Sequence, residues 1–177
     1  MRETTKDDDP ILDEHPDNEA AWYAKGNTLF DRGQLEAAIE CYEKTLGINS
    51  QNEDAWHTKG RAYAILGRLD DAIQCYDKAL EINPENEIVW GVKGVAKARL
   101  CQFIEAIKCF ERVIETNPRN EAAWYYKGNV LVDLQHYAEA IVIYIGAGHQ
   151  NPHLKGWIPP ERVFRRAKRF DNIFKHL

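Results

Sequence analysis

Residues 18–50 read NEAAWYAKGNTLFDRGQLEAAIECYEKTLGINS, and residues 52–84 read NEDAWHTKGRAYAILGRLDDAIQCYDKALEINP. Trp, Gly, Ala and Tyr hold the same places in both. The register continues to Trp90 and Trp124, so that Trp22, Trp56, Trp90 and Trp124 stand 34 residues apart. Each is followed four residues later by a glycine: Gly26, Gly60, Gly94 and Gly128. A fixed period of this length marks one supersecondary unit repeated in tandem. The copies fall at residues 17–50, 51–84, 85–118 and 119–152.

Each copy opens with a helix-start signal: Asn18-Glu19, Asn52-Glu53, Asn86-Glu87 and Asn120-Glu121. The Asn side chain accepts from orphan amides of the first turn, and the Glu suits the positive end of the helix dipole. Trp, Gly and a third residue (Leu29, Tyr63, Lys97 or Leu131) then recur at i, i+4, i+7, one face of a helix. A turn follows, with Gly33 and Gly67 in the first two copies, where glycine supplies positive φ after a helix end. Cys101 and Gln135 take that place in the third and fourth copies.

A second helix carries Ala38, Ala72, Ala106 and Ala140, and four residues later Tyr42, Tyr76, Phe110 and Tyr144. Pro84, Pro118 and Pro152 end copies two to four. The expected packing sets each glycine against the alanine of its partner helix, with Trp and Tyr or Phe filling the space beside that contact. A fully packed Trp replaced by Ala would cost about 3–5 kcal/mol.

This pattern resembles the tetratricopeptide repeat (TPR) family over residues 17–152. The resemblance implies an all-α solenoid of antiparallel helix pairs forming a right-handed superhelix, with first helices lining a concave face that binds peptides. Where the family often has Leu before the glycine, this chain has Lys25, Lys59, Lys93 and Lys127. Their methylene stems are expected to pack while the ammoniums reach water.

Carried over position by position, the concave lining contains Tyr23, Asn27 and Phe30 in copy one, and His57, Arg61 and Ile65 in copy two. Copy three contributes Val95 and Arg99, and copy four Tyr125 and Asn129. The family's clamp for acidic chaperone tails would fall on Tyr23, Asn27, Thr58, Ile88 and Val92, of which only Asn27 fits. A co-chaperone of that type is therefore not expected. The mixed lining instead suits an extended or helical peptide with apolar anchors and one acid.

Composition narrows the function classes. The net charge is −5. It divides into −4 over residues 1–16, +5 over residues 153–177 and −6 over the repeats. A mildly acidic body argues against nucleic acid as a partner. The amino-terminal stretch MRETTKDDDP does not resemble a signal peptide, no apolar run reaches the ~20 residues of a membrane span, and a cytoplasmic protein is expected. Residues 1–16 read as an acidic arm or as the remnant of a preceding repeat. The length suits one solenoid domain rather than two globular ones.

Cys41, Cys75 and Cys109 occupy equivalent places on successive second helices. Such a ladder matches neither disulfide nor zinc geometry, so buried thiols are expected. Cys101, in a turn, is the cysteine expected to react. The glycines follow the repeat rather than a phosphate-binding fingerprint, and His15, His57, His136, His149, His153 and His176 form no metal spacing. No catalytic, cofactor-binding or metal-ligating residue is expected.

Two other roles arise at the carboxyl end. The second helices of copies one to three carry polar outer faces, such as Glu40, Glu43 and Lys44, but copy four has Val142, Ile145 and Gly146 there. Residues 153–177 contain a basic amphipathic helix with apolar Val163, Ala167, Phe170, Phe174 and Leu177. That helix is expected to cap copy four. The competing roles are self-assembly through Val142, Ile145, Phe164, Phe170 and Phe174, giving a homo-oligomer, or anionic-surface binding through the basic residues.

Overall fold

In the computed structural model the described residues are 17–150, with side chains through residue 147. The amino-terminal arm and the carboxyl-terminal helix, with Phe164, Phe170 and Phe174, lie outside them. Eight α-helices make up the described chain: α1 Glu19–Asp31, α2 Leu35–Ile48, α3 Glu53–Ile65, α4 Leu69–Ile82, α5 Glu87–Arg99, α6 Phe103–Thr116, α7 Glu121–Asp133 and α8 Tyr137–Gln150. They pack as consecutive pairs: α1 with α2, α3 with α4, α5 with α6 and α7 with α8. The chain divides into two compact units, Met1–Pro84 and Glu85–Leu177. In the first, α2 also packs on α3; in the second, α6 packs on α7.

All four Asn residues cap their helices as the spacing predicts. Asn18 Oδ1 accepts from Ala21 N at 3.0 Å, Asn52 from Ala55 at 2.8 Å, Asn86 from Val89 at 3.1 Å and Asn120 from Ala123 at 3.0 Å. The acidic residue after each cap does more than meet the helix dipole. Asn49, at the end of α2, donates to Glu19 at 3.0 Å. Asn83 donates to Glu53 at 3.0 Å and Asn117 to Glu87 at 3.3 Å. The ends of α2, α4 and α6 are thus tied to the starts of α1, α3 and α5.

The four turns within the helix pairs share one geometry. Gly33 N donates to Phe30 O and Gln34 N to Leu29 O, and the same pair of bonds recurs at Gly67, Cys101 and Gln135. This is the Schellman ending, which requires positive φ at the first residue past the cap. Cys101 and Gln135 adopt it without being glycine, at φ 58° and 63°.

The core differs from expectation in what the repeated glycine touches. A Cβ on Gly26 would stand 2.6 Å from Tyr42 Cε1, and on Gly94 2.7 Å from Phe110 Cε1. The ring occupies most of the space that the missing side chain leaves, and at Gly60 the carbonyl oxygen of Ala72 stands 3.2 Å from the same point, the close backbone approach that the spacing predicts. The alanines at 38, 72, 106 and 140 are fully buried beside it.

The tryptophans are only half-buried. Their indoles act as clasps: Trp56 Nε1 donates to Ser50 O at 3.0 Å and Trp124 Nε1 to Pro118 O at 2.8 Å. Each holds the linker that leads into its own helix. Truncating one costs less than the fully packed estimate.

The lysines before the glycines are also corrected. Lys59, with 12% of its side chain exposed, pairs with Glu43 at 2.9 Å; Lys127, with 15%, pairs with Glu111 at 2.7 Å. These ammoniums reach across to the preceding second helix rather than to water. Lys25 and Lys93 lie over the rings of Trp22 and Trp90.

Candidate functional site

The first unit presents one face of α1 beside one face of α3. Tyr23, Asn27 and Phe30 recur at i, i+4, i+7 on α1; His57, Arg61 and Ile65 recur at i, i+4, i+8 on α3. Both spacings keep their residues on one helix face. Tyr23 and Phe30 pack against the buried cluster of Leu29, Ala38, Cys41 and Tyr42. The guanidinium of Arg61 stands 5.0 Å from the centre of the Phe30 ring, a cation–π contact. Arg61 and Ile65 are exposed, Ile65 by 62%.

Asn27 has a structural role that its position did not suggest. Its Oδ1 accepts a 2.9 Å hydrogen bond from the hydroxyl of Tyr42, whose ring rests on Gly26. Burial pushes the Tyr42 phenol up to about 12, so it remains a donor. Asn129 repeats the arrangement in the second unit, accepting from Tyr144 at 2.9 Å. These two asparagines lock their own hairpins, and their carbonyls are occupied.

His57 is half-buried, and its ring tilts against Tyr76 at 6.4 Å between centroids. Its Nε2 is buried and has no hydrogen-bond partner among the described residues. Burial lowers its proton affinity most, and the Arg61 cation lowers it further; Asp54 and Glu53 oppose them. The cation of this surface is therefore Arg61.

The second unit places Val95 and Arg99 on α5 and Tyr125 and Asn129 on α7. Val95 packs against the buried cluster of Ala106, Phe110 and Val130. Arg99 is exposed, and Tyr125 is 41% exposed. Tyr126, not selected from the sequence, is equally open and meets Tyr125 edge-on at 5.6 Å while stacking on Phe110 at 5.7 Å. The adjacent tyrosine pair was the available signal. Ile88, also on α5, is exposed too.

Elsewhere, Cys41, Cys75 and Cys109 are buried thiols, as expected, and Cys101 is exposed. Burial pushes the Cys75 thiol up to about 11 and raises that of Cys41. These are thiols, not thiolate nucleophiles. A cleft of about 420 Å³ lies on another face of α3 and α4, lined in part by Trp56, Lys59, Tyr63 and Cys75. Its lysines are already paired, Lys59 with Glu43 and Lys78 with Glu81. Among the described residues no His, Cys, Asp and Glu cluster is arranged to hold a metal, and no helix is long and apolar enough to cross a membrane.

On α8, Val142 and Ile145 are 67% and 51% exposed. Gly146 does not continue that face: a Cβ there would meet Trp124 at 3.4 Å.

The family model described as tetratricopeptide repeat matches residues 53–86, and one described as TPR repeat matches residues 26–64. The protein prenyltransferase alpha subunit repeat matches residues 103–134. No curated protein sequence matches the chain significantly. Among solved structures, a crystal structure of MamA is 20% identical with a TM-score of 0.78, covering 81% of this chain and 84% of that one. YrrB, titled a TPR protein with an unusual peptide-binding site, is 23% identical with a TM-score of 0.70, covering 81% and 74%. The first TPR of Spaghetti (RPAP3), bound to the HSP90 peptide SRMEEVD, is 26% identical with a TM-score of 0.64, covering 66% and 93%.

Proposed function

The chain belongs to the tetratricopeptide repeat family, and on that premise we propose that it is a non-catalytic interaction scaffold that binds a peptide segment of a partner protein through the faces of its first helices. One observation carries this reading. In the first unit Tyr23, Phe30, Arg61 and Ile65 gather on two adjacent helix faces, with Arg61 and Ile65 left to solvent. Large apolar and guanidinium side chains that are only partly used in packing are the groups that dominate protein-binding surfaces. Tyr125 and Tyr126 form a comparable open group in the second unit. Peptide binding by YrrB and by the first TPR of RPAP3 supports carrying the activity over.

The test is a selection of peptides from a random display library on the full chain. Selected peptides should lose at least about tenfold in affinity for a variant carrying Arg61→Ala and Tyr125→Ala, with helicity unchanged. Undiminished binding would place the site elsewhere.

A second reading, self-assembly, is favoured by the exposure of Val142 and Ile145, where the equivalent Glu40 and Glu43 are polar. Light scattering over a concentration series tests it. A mass above that of the monomer that falls on Val142→Glu with Ile145→Glu supports assembly, and a constant monomer excludes it. Binding to anionic surfaces rests on residues 162–175, outside those described.

A further inference from the structure

We propose that residues 9–16, which lie outside those described, dock on the outer face of α1, with the Asp9 carboxylate on the Lys25 ammonium and the Pro16 carbonyl on the Trp22 indole. The face they cover is not the candidate peptide-binding one, and the inference does not rest on the scaffold reading.

Two grips recur where a second helix packs on the first helix of the next pair. Between α2 and α3, Lys59 pairs with Glu43 at 2.9 Å and Trp56 Nε1 donates to Ser50 O at 3.0 Å. Between α6 and α7, Lys127 pairs with Glu111 at 2.7 Å and Trp124 Nε1 donates to Pro118 O at 2.8 Å. The lysine reaches back 16 residues and the indole 6. In α1 the same two residue types stand at the same places, Trp22 and Lys25. Their pose also matches: the Lys25 ammonium lies 5.8 Å from the centre of the Trp22 ring, and that of Lys59 5.6 Å from Trp56. The same steps back along the chain arrive at Asp9 and Pro16. Asp9 is an acid like Glu43 and Glu111, and Pro16 matches Pro118.

The residues between them suit a buried contact. Ile11 falls in register with Thr45, Ala79 and Val113, and Leu12 with Leu46 and Leu80, all of which are buried. The register ends at Asp8, which stands where Tyr42, Tyr76 and Phe110 do. Those rings fill the glycine notches of their own hairpins. A segment with no first helix of its own has no notch to fill, so the docked part is short.

Charge decides between this segment and a second copy. A copy stacked end to end would bring α8, whose residue in register with Glu43 and Glu111 is Ile145. That side chain offers the Lys25 ammonium no carboxylate, and burying a cation against an apolar group is costly. Glu40 of α2 is a further acid near Lys25, since both act on the Cys41 thiol. Its counterpart Gln74 lines a cleft with Lys59, yet the acid that Lys59 takes is Glu43, from the preceding second helix. Asp9 supplies the equivalent acid, and its tether to α1 favours docking within one chain.

Amide hydrogen exchange of the full chain, read by NMR, tests the inference. Residues 11–15 should exchange at least about tenfold more slowly than an unstructured chain. Asp9→Asn and Lys25→Gln should each remove most of that protection, while the amides of α3 and α4 keep theirs. Asp9→Asn alters no residue of the described helices, so its result does not depend on how Lys25→Gln folds. Unstructured-chain rates in the wild type overturn the proposal, as does protection that neither change reduces. Protection lost on dilution also overturns it, assigning the face to the arm of another copy.

Discussion

A Cβ placed on Gly60 would stand 2.5 Å from Cε1 of Tyr76, closer than real side-chain carbons approach. The ring of Tyr76 sits in the notch that glycine leaves, and it is 99% buried there. Gly60→Ala should therefore destabilise the chain by about 1–3 kcal/mol through overpacking, against a helix-propensity gain of about 1 kcal/mol. Gly47→Ala, in α2 with nothing within 4 Å of the added carbon, should stabilise by about 0.5–1 kcal/mol. Urea unfolding followed by helical signal gives both signs. Equal stabilisation by the two changes would show that the notch is not filled.

Cys101 and Gln135 hold left-handed backbone where Gly33 and Gly67 hold it in the first two turns. Left-handed backbone costs a non-glycine residue about 1–2 kcal/mol, partly offset by the freedom glycine adds to the unfolded chain. Cys101→Gly and Gln135→Gly should each raise stability by about 0.5–1 kcal/mol. Gly33→Ala should lower it by a similar amount. Thermal melts decide, and a destabilising Gln135→Gly would argue that this turn is held by its side chain.

His57 binds a proton less readily in the fold than in the unfolded chain, chiefly because it is buried. Just below pH about 6.5 the unfolded chain therefore takes up more protons, and stability falls as pH drops through that value. Above it, His57 is neutral in both states and contributes no slope. The melting temperature of the wild type should fall more steeply between pH 7.5 and 5.5 than that of His57→Gln. Parallel curves would mean that the imidazole is hydrated in the fold.

Asn83 donates to Glu53 at 3.0 Å across the two ends of the α3–α4 pair. Asn83→Ala and Glu53→Ala should each cost about 0.5–1.5 kcal/mol. Their effects should fall short of additive, because either change alone breaks the bond. Additive losses in the double variant would show that the bond contributes nothing.

Cys101 is exposed, whereas Cys41, Cys75 and Cys109 are buried. Iodoacetamide at pH 8 should label Cys101 alone in the native protein and all four in denaturant. Native labelling of Cys75 at a comparable rate would indicate that the α3–α4 pair opens readily.

The helix pairs were legible because their signals are local. Asn18 caps a helix through an amide three residues away, and the period places Gly26 and Tyr42 without reference to any contact. The candidate surface was half legible. Tyr23 and Phe30 lie on α1 and Arg61 and Ile65 on α3, as the period places them, but nothing in the pattern announced that Arg61 would stack on Phe30. Nor did it show that Asn27 and Asn129 would be occupied by Tyr42 and Tyr144.

Taken by itself, the amino-acid sequence determined the kind of element, its ends and its repetition, since caps, turn residues and helical periodicity act within a few residues. The tertiary structure alone decided which polar group satisfies which. Lys59 finds Glu43, Lys127 finds Glu111 and Asn83 finds Glu53. These partners belong to different helices, and which donor meets which acceptor depends on how the helices pack, information that no local spacing contains. The same packing left Arg61 against the aromatic ring of Phe30.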